Sequence, residues 1–80
     1  MKQYLIDYWE IKEIIIQSNT VSSLSESEPL MESYSQNYCK RKVIGNNHAA
    51  RDLLNDLNWQ YKQRFHELTG RMPPLLEIFK

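Results

Sequence analysis

Apolar residues recur along most of this chain at the three- and four-residue spacing of a helix that buries one side. Between about residues 2 and 17, Leu5, Tyr8, Trp9, Ile11, Ile15 and Ile16 gather on one broad side, which predicts a first amphipathic helix. Ile6 and Ile14 fall on its polar side, and the β-branched run Ile14-Ile15-Ile16 also suits a short buried strand. Ser18 to Ser27 is rich in serine, with only Val21 and Leu24 to anchor it, and reads as a connection. Ser27, Glu28 and Pro29 then supply a capping hydroxyl, an acid for the helix dipole and a residue tolerated in a first turn. A second helix is expected over 28 to 44, with Leu30, Met31, Tyr34 and Tyr38 as a narrow apolar stripe.

Gly45-Asn46-Asn47 is the clearest break, joining a residue free to take positive φ to a good N-cap. The third helix is expected over 47 to 69, where Ala50, Leu53, Leu54, Leu57, Tyr61, Phe65 and Leu68 give the strongest periodic signal in the chain. Thr69-Gly70 is a glycine C-cap, and Pro73-Pro74 forbids continuation. Leu75, Leu76, Ile78 and Phe79 are too apolar to hang in water and predict a short C-terminal helix or turn. The expected fold is all-α: three main helices and this short element, in a single domain spanning 1–80.

Composition and charge narrow the function. The hydrophobic share of 41% is ordinary for a globular chain and well above that of a disordered one. A core this small leaves a few kcal/mol of margin, so a surplus apolar face is expected to be buried against a partner, a second copy of the chain included. Cys39 is the single cysteine, which excludes an internal disulfide and a thiolate zinc site and points to a reducing compartment. Asp7 and Glu10 interrupt the apolar run that a signal peptide needs, and no stretch has the length of a membrane span. The expected location is the cytoplasm, without membrane association. Net charge is zero, but residues 1–39 are acidic and residues 40–80 basic by equal amounts. Such polarity serves a nucleic-acid surface, the mutual attraction of the two halves or the orientation of a head-to-tail dimer.

Three constellations bear on function. Trp59 lies opposite the apolar stripe of the third helix, with His48, Asp52, Asn55 and His66 beside it. Either the C-terminal Leu75 to Phe79 segment or the first helix covers this tryptophan, or it anchors an interface, as tryptophan often does. The apolar tail residues Ile78 and Phe79 join it as candidate partner-binding residues. Lys40, Arg41 and Lys42, with Arg51 beyond the Gly45 turn, form the densest basic cluster and are the candidates for phosphate contact. The bland reading is that these cations neutralise a helix C-terminus and stay solvated. The arrangement is a poor helix-turn-helix, since the third helix opens His48-Ala49-Ala50-Arg51-Asp52, with a repelling carboxylate where base-reading side chains belong. His48, Asp52 and Asp56 share one helical face that could hold a divalent metal or shuttle a proton, but acids are expected in first turns from the helix dipole, and the one further ligand suggested, His66, lies about three turns away. Cys39 reads as a small hydrophobe rather than a nucleophile. No cofactor, metal site or catalytic set is expected.

Arg64-Phe65-His66-Glu67-Leu68-Thr69, followed by Pro74 and the Phe79-Lys80 end, resembles the C-terminus of Hha-type nucleoid modulators, and the likeness is confined to this end of the chain. The resemblance implies a small helical bacterial or phage-type regulator that acts through a protein partner. The expectation from the sequence is thus a small regulatory or inhibitory protein that binds another protein, alone or as a homodimer, and not an enzyme. The alternative is a small nucleic-acid-binding regulator that uses the basic cluster.

Overall fold

The computed structural model describes residues 2–39 and 48–74, and these form an all-α bundle. α1 spans Gln3–Gln17, α2 Val21–Ser25, α3 Ser27–Tyr34 and α4 His48–Thr69; a π-helical turn, Ser35–Cys39, extends α3. The Ile14-Ile15-Ile16 run is helical throughout, which settles the strand alternative.

The direction of each helix follows from which residues meet. Tyr8 of α1 reaches Asp56 of α4 near one end, and Ser18 beyond α1 receives Arg64 near the other, so α1 and α4 run parallel. Glu28 meets Tyr61, and Tyr38 meets Asp7, so α3 and its π-helical turn run antiparallel to both. The core is the seam among these elements: Tyr8, Ile11 and Ile15 from α1, Leu24 from α2, Met31 and Tyr34 from α3, and Ala50, Leu54, Leu57 and Tyr61 from α4. Leu53, Phe65 and Leu68 pack against its edge, so the stripe expected on the third helix is the one buried.

The stripe expected on α1 is narrower than its pattern implied. Tyr8, Ile11 and Ile15 are buried, but Trp9 and Ile16 are exposed and Leu5 is only half-buried. The main neighbours of α1 are α4 on one side and α3 on the other, and the line facing both is the one through Tyr8, Ile11 and Ile15. Trp9 and Ile16 lie past the edge of that line.

Ser18 to Ser27 is not merely a connection. Thr20 accepts a 3.1 Å hydrogen bond from the Ser23 backbone N–H and starts α2, which Leu24 anchors in the core. Ser27 is not the N-cap of α3: residue Glu26 is already helical (φ −63°, ψ −21°), and the Ser27 hydroxyl donates back to the Leu24 carbonyl at 2.7 Å. The chain therefore passes from α2 into α3 through a helical residue, which leaves a capping side chain at Ser27 nothing to do. Glu28 and Pro29 sit in the first turn of α3 as expected. The helix expected over 28–44 holds through Tyr34 and passes into the π-helical turn up to Cys39; residues 40–44, the Gly45-Asn46-Asn47 break and the expected C-terminal element at 75–80 lie outside the described residues.

α4 ends at Gly70, whose φ of 74° is the left-handed conformation that costs a glycine nothing, and whose N–H donates to His66 O at 2.7 Å. The end of α1 is held differently. Arg64 donates from Nε to the Ser18 carbonyl at 2.7 Å, placing a cation on the negative end of the α1 dipole.

Three of the packed junctions also carry a tyrosine hydroxyl donating to a carboxylate: Tyr8 to Asp56 between α1 and α4, Tyr38 to Asp7 between the π-helical turn and α1, and Tyr61 to Glu28 between α4 and α3. These charge-assisted bonds satisfy polar tips that helix packing would otherwise strand at the core edge. The Tyr34 hydroxyl is the exception: it is fully enclosed and has no hydrogen-bond partner among the described residues. Its burial pushes the phenol well above its ordinary pKa of 10.0, a shift to which Cys39 and the neighbouring tyrosines add.

A candidate interface on the outer face of α1 and α4

Trp59 projects from the side of α4 opposite the core and is 56% exposed. Of the two readings of this residue, cover by α1 is excluded by that exposure, while the Leu75 to Phe79 segment, with Ile78 and Phe79, lies outside the described residues. His48, Asp52, Asn55 and His66 are all exposed on the same helix, at the spacing that places them on the Trp59 side.

A second tryptophan joins it, from the element where the sequence pattern had assigned it to the core. Trp9 is 58% exposed and its ring packs edge-on against Tyr8, with centroids 5.4 Å apart. The Lys12 ammonium lies 5.1 Å from the Trp9 ring centroid, 3.2 Å from the Tyr8 hydroxyl and 3.9 Å from the Asp56 carboxylate. Lys12 therefore spans from Trp9 to α4. Trp59 follows Asp56 by three residues, just under one turn along α4. Because α1 and α4 run parallel, the two tryptophans flank the Lys12–Asp56 pair on one outer face, with exposed Ile16 one turn further along α1. The signal available in the sequence was the pairing of Trp9 with Lys12 at i, i+3, which keeps a cation beside an aromatic ring on a wet face.

The polar groups on this face are already matched to one another. Tyr8 donates a hydrogen bond to Asp56 and accepts one from Lys12, and its phenol is pushed above its ordinary value by burial first and by Asp56 second. An incoming surface thus meets two large apolar rings and a neutralised ion pair, which costs less to desolvate than an isolated charge. The same partners occupy Asp56, so the His48, Asp52, Asp56 series does not present three free ligands. Among the described residues, no group of three or more His, Cys, Asp or Glu side chains is arranged to hold a metal ion.

The basic cluster is only partly visible. Lys40, Arg41 and Lys42 lie outside the described residues, while Arg51 is exposed in the first turn of α4. Cys39 is buried, and burial pushes its thiol above the ordinary value, against a smaller opposing pull from Arg51; both features suit a packing residue. No helix among the described residues is long and apolar enough to cross a membrane. Comparison of the chain with models of known protein families, with curated proteins and with solved structures finds no match, so the likeness of the Arg64 to Thr69 stretch to Hha-type modulators assigns no family.

Proposed function

We propose that the chain is a small protein-binding module of regulatory or inhibitory type whose partner seats on the α1/α4 face around Trp9 and Trp59. What supports this reading is the exposure of both tryptophans, 58% and 56%, on one face of an 80-residue chain. A domain this small gains much from burying such rings internally, and leaving two outside is costly unless they are covered in a complex. Tryptophans are also the residues that most often dominate binding energy.

The test is solution mass by light scattering over a range of concentration and salt, with tryptophan emission followed in the same samples. A salt-insensitive dimer with blue-shifted emission supports a self-interface on this face. A monomer with red-shifted emission supports a face held open for a different protein. A monomer whose emission is blue-shifted overturns the reading, because the rings would then be covered within the chain.

A further inference from the structure

On the other flank of α1, turned away from Trp9, the described residues enclose an open groove of about 380 Å³ between α1 and α3. Its floor is apolar: Ile11 and Ile14 from α1, Leu30 and Tyr34 from α3. Ile14 and Leu30 stay 37% and 40% exposed, so each helix leaves an aliphatic side chain in water facing the other across the cleft. Asp7 and Glu10 form the α1 rim, and Ser33 and Asn37 the α3 rim.

Two features decide what this groove fits. The first is length. From Asp7 to Ile14 the lining covers two turns of α1, about 10 Å at 1.5 Å per residue, and the walls are two antiparallel helices. An amphipathic helix laid along such a cleft fills it with anchors at i, i+3 or i+4, and i+7. The second is charge. Between residues 2 and 39 the acids are Asp7, Glu10, Glu13, Glu26, Glu28 and Glu32, against Lys2 and Lys12. Lys12 is turned to the opposite flank, over Trp9 and Asp56, and the Lys2 ammonium lies 5.9 Å from the Tyr4 ring centroid. Among the described residues, no cation lines the groove, and Glu10, which is exposed, makes no hydrogen bond or ion pair.

We infer that the α1/α3 groove is a docking site for a cationic amphipathic helix of a partner protein, one that lays aliphatic side chains on Ile14 and Leu30 and sets lysine or arginine against Glu10, while Asp7, already hydrogen-bonded by Gln3 and Tyr38, adds only its charge. The site is separate from the tryptophan face, so a chain using both holds two partners, or a second copy and a partner, on opposite flanks of α1. The apolar floor supplies the affinity, and the acidic rim orients the helix and excludes acidic competitors.

The test uses the full chain and two blocked synthetic helical peptides with identical leucine stripes, one carrying lysine on its flanks and the other glutamate at the same positions. Binding is followed by calorimetry and by amide chemical shifts. The lysine peptide is expected to bind, to shift the amides of Ile14, Leu30 and Ser33, and to weaken as salt is raised. Glu10→Lys is expected to weaken it by about tenfold or more, the factor that 1.4 kcal/mol of lost pairing represents. Ile14→Ser and Leu30→Ser, at positions already open to solvent, are expected to weaken it without unfolding the chain, while Trp9→Ala with Trp59→Ala leaves it unchanged. Equal binding of both peptides, binding of neither, shifts centred on Trp59, or indifference to Ile14→Ser and Leu30→Ser would each overturn the inference. Because the tryptophan variants read the other face, loss of this groove and loss of the α1/α4 interface are told apart.

Discussion

The Tyr61 hydroxyl of α4 donates to the Glu28 carboxylate in the first turn of α3, joining the centre of one helix to the start of another. The bond uses one carboxylate twice, since Glu28 also places its charge at the positive end of α3.

Tyr61→Phe removes this bond while keeping the buried ring, and leaves a half-buried carboxylate without its donor. The expected cost is about 1–3 kcal/mol, read as a lower midpoint in urea with an unchanged slope. A midpoint equal to that of the parent would mean that the bond contributes nothing net.

Tyr34→Phe makes the opposite case from the same chemistry. The Tyr34 hydroxyl is buried without a partner among the described residues, so deleting it relieves a desolvated dipole and loses no bond among them. The variant is expected to match or exceed the parent in thermal midpoint, and a fall of several degrees would show that the hydroxyl is satisfied in solution.

Alkaline pH should unfold the chain. Burial first, and then the partner carboxylates for Tyr8 and Tyr61, hold these phenols above their ordinary 10.0, and Tyr34 and Cys39 are also raised. The unfolded chain therefore releases protons that the folded chain still keeps, so the stability carried by the protonated groups is full below their unfolded pKa values. It is lost as pH rises through the window between the unfolded and folded values. The loss begins near pH 9 with Cys39 and steepens above pH 10, by about 1.4 kcal/mol per pH unit for each group concerned. Melting followed by circular dichroism from neutral to about pH 11 checks this, and a flat midpoint across that window would contradict it.

Arg64→Ala frees the end of α1. The guanidinium donates to Ser18 O, to Asn19 Oδ1 at 3.4 Å and to Glu67 at 2.9 Å, so the change opens both a helix end and the α1–α4 junction. A loss of about 1–2 kcal/mol is expected, and faster hydrogen exchange at the end of α1 than elsewhere is the accompanying signature.

What was legible in the sequence follows from how local each signal is. The α4 stripe from Ala50 to Leu68 and its Gly70 stop depend on periodicity and one backbone conformation, and both appear as expected. The α1 stripe misled at Trp9 and Ile16 because an apolar residue at the edge of a helical face can turn to core or to water, and only the placement of α3 decides which. α2 was missed because a serine-rich stretch has poor propensity, and its helix rests on a Thr20 cap and a single buried leucine. The candidate interface was half visible: Trp59 stood out on its own helix, but its companion Trp9 lies some 50 positions away in sequence and is brought alongside by the parallel packing of α1 and α4. The groove beside Ile14 was invisible, since the outward position of that isoleucine acquires meaning only once Leu30 faces it.

The measurement that bears most directly on the proposed function is complex formation by the double variant Trp9→Ala/Trp59→Ala, compared with the parent by light scattering and by crosslinking in the cells that make the protein. Both side chains are largely in water, so the variant is expected to keep its fold and thermal midpoint while losing self-association or its crosslinked partner, whichever the parent shows. A folded variant that retains the parent's mass and the parent's crosslinks would contradict the assignment of the α1/α4 face as the interface.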